Sequence, residues 1–301
     1  MAKTSSKNFG GFMTRKQLAT AITVIGAFFI SAGAFAGDCG VAQEHFKKGV
    51  AAGKRANWTE AQQWLAKSVA ECNKFDNWYL LGQAEMQMGN LPAAASAFED
   101  ARHYAADNDQ KALAIARYAE VQAKEGKIAE PLTLLHEARR MHSKAPEWIT
   151  QLAISLDRKR TEQPLTVAQV TGALNNRSIK LFKLDTKPNI NVNINFKFNS
   201  TDVVEASRDS IEVLAEALTD VSFDGKHITL IGHSDARGEG KYNLALSEQR
   251  ADAIYKALVT RKPQLKDRLT IKGFGKNKPL YEGETEDVYL LNRRIEVELA
   301  D

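Results

Sequence analysis

Residues 232–258 read GHSDARGEGKYNLALSEQRADAIYKAL. They join an apolar strand to a long helix, and the change of period marks the junction. The run before it predicts a strand over 227–233. After it, Ile254, Ala257 and Leu258 recur at helical spacing and predict a helix over 243–260. Glu248, Gln249, Asp252 and Lys256 fall on the opposite face. Traced back toward the helix N-terminus, the core-facing stripe becomes Asn243, Ser247 and Arg250. A guanidinium on such a stripe is costly unless it is paired. Asp235, at the end of the preceding strand, is the nearest candidate partner. Two readings stand. One is an internal Asp235–Arg250 bridge with Asn243 as helix N-cap. The other is a half-open site for a zwitterion, in which Asp235 takes an ammonium and Arg250 takes a carboxylate through its bidentate fork.

Catalysis is a poor fit to the same stretch. His233, Ser234 and Asp235 are the residue types of a hydrolase triad, but neighbours in a strand point to opposite faces. A triad needs groups converging from separate parts of a fold. The glycines of GEGK (238–241) and GFGK (273–276) lack the spacing of a phosphate-binding loop. Gly273 and Gly275 suit tight backbone at a strand end.

Working outward, residues 189–198 alternate strictly, with Ile190, Val192, Ile194, Phe196 and Phe198 apolar, and predict a half-buried strand. A helix is expected over 203–219, with Ile211, Leu214, Ala215 and Leu218 on one stripe. Strands follow at 268–274 and 294–299, with a helical turn near 286–291 before the last. The order β-α-β-α-β-(α)-β predicts an α/β sandwich over 189–301, one mixed sheet with helices packed on it. Residues 161–188 read as a linker holding a short helix, TVAQVTGALNN (166–176), and ending at Pro188.

Residues 37–160 are helix-rich and repetitive. ANWTEAQQWLAKS (56–68), GNLPAAASAFEDA (89–101) and GKIAEPLTLLHEA (126–138) align at offsets of 33 and 37 residues. Periods in this range indicate stacked helical hairpins. In the middle unit Trp78, Leu81 and Gly82 share one helix, Gly89 turns the chain, and Ala94, Phe98 and Ala101 line the next. These positions resemble the tetratricopeptide repeat. Ala56 replaces the turn glycine in the first unit, and Pro131 replaces the small alanine in the third. A final helix is expected near 146–158. The chain as a whole is therefore α+β, an all-α repeat region followed by a sandwich. An antiparallel hairpin sets Cys39, at the start of its first helix, beside Cys72, at the end of its second. A disulfide there is the expectation; the other reading is two unrelated thiols. The groove of such a stack serves a protein partner, or the stack is a rigid spacer.

The formal charge of +4 comes from the first 36 residues. They contain Lys3, Lys7, Arg15 and Lys16 and no acid, and without them bases and acids are equal in number. A neutral remainder does not indicate nucleic-acid binding. The same residues read as a signal peptide over 1–36. A basic start precedes the uncharged run 17–36, which ends in Ala34-Phe35-Ala36. The run is also close to the roughly 20 residues of a membrane span, so an uncleaved anchor is the second reading. Asp38 before Cys39 argues against lipid attachment.

SDARGEGKYNLALSEQRADAIYKAL, GFGKNKP and NRRIEVEL together resemble the OmpA-like peptidoglycan-binding domain family. Asp235, Gly238, Asn243, Leu246, Ser247, Arg250 and Ala251 match its first motif, with Ser234 in place of the usual Thr. Gly273, Gly275, Pro279, Asn292, Arg293, Arg294 and Glu296 match the later ones. The resemblance covers about 190–301. It implies a non-catalytic binder of the diaminopimelate-containing stem peptide of peptidoglycan, with no cofactor and no metal. Asp235 and Arg250 would hold the amino and carboxylate groups of diaminopimelate. Asn243, Leu246 and Ser247 would shape the helix side of the pocket. Arg293 either borders the site or supports the fold, and Asn199 is a further candidate. The expectation is a periplasmic tether in the envelope of a Gram-negative bacterium, associated with the outer membrane. The alternatives are an inner-membrane-anchored component of a secretion or motility apparatus and a cell-wall hydrolase. A proton-conducting stator would need an acid in its span, and residues 17–36 have none.

Overall fold

A computed structural model describes residues 39–175, 187–192, 194–197 and 200–299. The expected signal peptide lies outside them. Among the described residues no helix is long and apolar enough to cross a membrane. The chain divides into two compact units, Met1–Ala97 and Phe98–Asp301.

The first unit holds α1 (Gly40–Lys54), α2 (Trp58–Glu71), α3 (Phe75–Gln87) and the start of α4 (Leu91–His103). Small residues let α1 and α2 pack closely. Ala52 and Ala61 are buried, and a Cβ on Gly49 would lie 2.6 Å from Leu65 Cγ. Asn57 caps α2 by accepting from Glu60 N–H at 3.3 Å. The turn between the helices has Ala56 at φ 58°, the left-handed conformation that Gly89 (80°) and Gly126 (85°) take in the two later turns. The alanine adopts it at a steric cost that the glycines do not carry.

Cys39 and Cys72 form a disulfide with a Cα–Cα distance of 5.5 Å. It ties the start of α1 to the end of α2, where Ser68 Oγ donates to Ala42 O at 2.9 Å. The closed loop spans 33 residues, which in the chain-entropy model stabilises the hairpin by roughly 3–4 kcal/mol. Replacing both cysteines by alanine should lower the unfolding free energy of this unit by about that amount in a urea titration. An unchanged midpoint would refute the estimate.

The second unit continues with α5 (Asn108–Lys124), α6 (Ala129–Met141), α7 (Glu147–Glu162) and α8 (Val167–Leu174). Then come β1 (Asn189–Val192), α9 (Arg208–Ala217), β2 (Ile228–His233), α10 (Gly240–Arg261), β3 (Leu269–Gly275), α11 (Glu286–Asn292) and β4 (Ile295–Leu299). The strands form one mixed sheet in the order β1-β4-β2-β3, with β2 parallel to β3 and β4 antiparallel to both β1 and β2. Helices on a small mixed sheet are the α/β architecture expected.

Three expectations are corrected. The first strand ends at Val192 rather than 198. Its partner β4 begins at Ile295, which pairs with Val192, so the ladder runs out there. Phe196 instead pairs with Val203 in an isolated antiparallel bridge. That return leaves Val204 N–H bonded to Asn195 O, so the next helix starts as a 3-10 turn at Glu205 and becomes α9 at Arg208. Second, α8 is not a linker helix. A capping box of Thr166 and Gln169 starts it, and Val170, Ala173 and Leu174 are buried with Ile190, Val192 and Leu214 in the sheet core. Third, no division falls at 160. Tyr281, Val288 and Leu291 share a core with Leu134, Leu135, Ile149 and Leu156 of α6 and α7. Apolar side chains of α11 and the loop before it thus pack against these helices.

Candidate functional site

The junction of β2 and α10 is shaped by glycines. A Cβ on Gly232 would lie 1.9 Å from Ser247 O, and one on Gly275 2.8 Å from Leu244 N. The backbone of α10 therefore rests directly on the strand ends. Ser247 Oγ accepts from Gly275 N–H at 2.9 Å and donates to Leu244 O at 2.8 Å. Asn243 Nδ2 donates to Arg237 O at 2.7 Å and fixes the loop, while Gly238 turns with φ 80°. Both side chains are buried and spent on these bonds. They build the support beneath the site rather than its wall. Asn243 is not the helix N-cap, because α10 begins at Gly240 after Glu239.

The triad does not form. His233 Nε2 lies 3.1 Å from Glu296 Oε2, and no hydrogen-bond partner of Ser234 Oγ is found among the described residues. Burial pushes the His233 pKa down, and nearby Arg294 adds to it against the opposing bond to Glu296. The ring is neutral at pH 7 and buried within the sheet.

Asp235 turns the chain out of β2. Its Oδ1 accepts from Arg237 N–H (3.1 Å) and Nε (3.3 Å). Its Oδ2 accepts from Arg237 Nη2 (2.8 Å) and Arg293 Nη1 (2.7 Å). Burial alone would raise its pKa. The bonds from Arg237 and Arg293 outweigh that and hold the carboxyl below its ordinary value. Asp235 is therefore ionised at neutral pH and already paired.

Its partner is not Arg250, so of the two readings the internal Asp235–Arg250 bridge does not form. Arg250 donates from Nε to Ser200 O at 3.3 Å and lies over the ring of Phe196, 4.8 Å from its centroid. Among the described residues no carboxylate lies within 4 Å of it. Burial pushes its pKa down, and Arg293 adds to that against Tyr242 and Asp235. The guanidinium lines a cavity of about 130 Å³ together with Asn195, Phe196, His233, Arg293 and Arg294. Arg294 is compensated, since Nε donates to Asn191 Oδ1 at 2.9 Å and Nη2 lies 3.6 Å from Glu296. Arg293 is compensated by Asp235. The positive charge of Arg250 remains, and the cavity can accept a carboxylate there.

Of the expected site residues, Arg250 and Arg293 line this cavity, and Asp235 lies behind its wall, bonded to Arg293. Leu246 is half-buried on α10 and does not line it. Asn199 lies outside the described residues. The sequence reading missed Arg237, although an Asp followed two residues later by an Arg at a strand end is the pattern of an Asx-turn whose backbone N–H faces the carboxylate. Asn195 and Phe196 were assigned to a strand and not to the site.

Residues 195–293 match the model of the OmpA family. The peptidoglycan-associated lipoprotein of Pseudomonas aeruginosa is 32% identical over 102 residues, which are 34% of this chain and 58% of that protein. Outer membrane protein A of Buchnera aphidicola is 34% identical over 119 residues, 36% of this chain and 34% of that protein. The crystal structure of the peptidoglycan-associated lipoprotein from Burkholderia pseudomallei is 30% identical and covers 36% of this chain and 88% of that one, with a TM-score of 0.31. The chain thus spans between about a third and three fifths of the length of these two curated relatives. The matched residues contain the loop of Asp235, the helix of Arg250 and Arg293. The C-terminal part of this chain is an OmpA-like domain, homologous to that of the peptidoglycan-associated lipoproteins and outer membrane protein A.

Proposed function

We propose that the OmpA-like domain is a non-catalytic binder of the diaminopimelate-containing stem peptide of peptidoglycan. One observation carries the reading. Arg250 presents a half-buried guanidinium, without an acidic partner among the described residues, to a cavity that Arg293 connects to the ionised carboxylate of Asp235. A zwitterionic group of an amino acid complements that pair, its carboxylate on Arg250 and its ammonium on Asp235. The names of the relatives support the ligand. The same relatives, with the expected export signal, support a place in the periplasm of a Gram-negative envelope at the outer membrane. The helical hairpins of the first half then present a protein partner or set a distance from the wall.

Co-sedimentation with purified sacculi tests the site. The chain should pellet with sacculi, and Arg250→Ala and Asp235→Ala should each weaken binding at least about tenfold, because each leaves one ligand charge unpaired. The melting temperature of Arg250→Ala should stay within a few degrees of wild type, whereas Asp235→Ala, which also strands Arg293, should melt lower. Undiminished binding by Arg250→Ala would refute the assignment. Clearing of the suspension by the wild-type chain would instead indicate hydrolysis.

A further inference from the structure

We propose that Arg237 is a gate on this site. Its guanidinium occupies the carboxylate of Asp235 in place of a ligand ammonium and is braced there by Glu286 and Tyr289 of α11. The proposal rests on the binding reading above and adds a step to it.

The carboxylate of Asp235 receives four donors, three from Arg237 and one from Arg293. That saturates the lone-pair sites of a carboxylate. A ligand ammonium can join it only by displacing one of them. The two arginines differ in what leaving costs. Arg293 has a side chain 32% exposed and lines the cavity, so moving it would collapse the wall beside Arg250. Arg237 has a side chain 52% exposed and sits on the outer side. Its backbone N–H bond to Oδ1 belongs to the turn and survives when the side chain swings away.

The same conformer is also braced from outside. Arg237 Nη1 lies 3.2 Å from Glu286 Oε1, and its guanidinium stands 4.4 Å from the centroid of Tyr289. Both residues are on α11. That helix is held from behind, with Val288 and Leu291 buried in the core shared with α5, α6 and α7. Thr285 caps it, and Asn292 bonds the backbone of Leu280 and Tyr281. The gate is therefore held shut by a fixed helix as well as by Asp235. The gate also selects. A ligand without an ammonium has nothing to offer Asp235 in exchange for the guanidinium.

The experiment is a sacculus-binding isotherm with the full chain. Arg237→Gln removes the competing charge and should tighten binding, about fivefold if the open state is a minor one. Arg237→Lys keeps a charge without the fork and should fall between. The double variant Glu286→Gln, Tyr289→Ala removes the brace on the closed position and should tighten binding, by less than Arg237→Gln does. Melting temperatures accompany each variant, since a merely structural role would move stability and not tighten the isotherm. If Arg237→Gln weakens binding as Arg250→Ala does, Arg237 is a ligand contact and the gate is wrong. If wild type binds and Arg237→Gln binds equally, the gate alone falls. If wild type does not bind sacculi, the underlying reading falls first.

Discussion

Gly232→Ala should unfold the OmpA-like domain or destabilise it by about 3 kcal/mol or more. A methyl group at this position would meet Ser247 O at 1.9 Å and Ser247 C at 2.7 Å. These are backbone atoms of α10, so no rotamer change relieves the clash. The helix would have to lift from β2. Lifting it would strain the bond of Ser247 Oγ to Gly275 N–H and move the end of the helix that holds Asn243 against the Asp235 loop. Gly172→Ala is the control. It lies in α8 at ordinary helical φ, and a methyl group there would meet nothing within 4 Å. The change should be neutral or stabilising by up to about 1 kcal/mol. Urea denaturation of both variants checks the pair. A Gly232→Ala midpoint equal to wild type would mean that α10 does not bear on the strand as described.

Asp157→Ala should cost about 3–5 kcal/mol, because it strands a buried charge. The Asp157 carboxylate is fully enclosed. It accepts from Tyr281 Oη at 2.7 Å, lies 3.0 Å from Arg160 Nη2, and has His136 Nε2 at 3.4 Å. Arg160 also donates to Asn191 O of β1, and Arg139 lies over the Tyr281 ring while donating to Leu280 O at 3.0 Å. One acid thus fastens α6 and α7 to the sheet and to the loop before α11. Tyr281→Phe removes a single bond to that charge and should cost less, roughly 1.5–3 kcal/mol. Burial drives the Asp157 pKa up, yet Arg160 first, then His136 and Tyr281, outweigh it and hold the pKa far below its ordinary value. For a depressed carboxyl the stabilisation is complete above the unfolded-state pKa and is lost as pH falls through the folded one. The difference between wild type and Asp157→Ala should therefore be constant from pH 7 to about 5 and shrink below about 4. A difference under 1 kcal/mol at pH 7 would show that the cluster does not bind the helices.

The legible part of the site was the part written as an exception to a period. Arg250 drew notice because it continues a stripe that Ile254 and Leu258 make apolar, and Asp235 because it ends a buried strand. Their actual partners were not legible. Arg293 reaches Asp235 from a position 58 residues later in the chain, and nothing local to either residue records that approach. Asn243 and Ser247 were rightly read as polar groups on a core face. What they satisfy is backbone, at Arg237 and Gly275, and backbone acceptors and donors carry no sequence label. The short first strand shows the same limit. Alternation over 189–198 describes which side chains face inward, but strand length depends on where a partner starts, and β4 starts at Ile295.

By itself the sequence determined the helical hairpins, the strand order along the chain and the polar stripe of α10, and it favoured the disulfide. Each follows from short-range chemistry, in a period, a turn residue or two ends of one hairpin. Only the tertiary structure decided that α8 and α5–α7 belong to the same compact unit as the sheet, that Asp235 is held by Arg237 and Arg293, and that Arg250 is left facing a cavity. Those outcomes depend on which of several competing charges comes within about 3 Å, a distance set by packing between elements far apart in the chain.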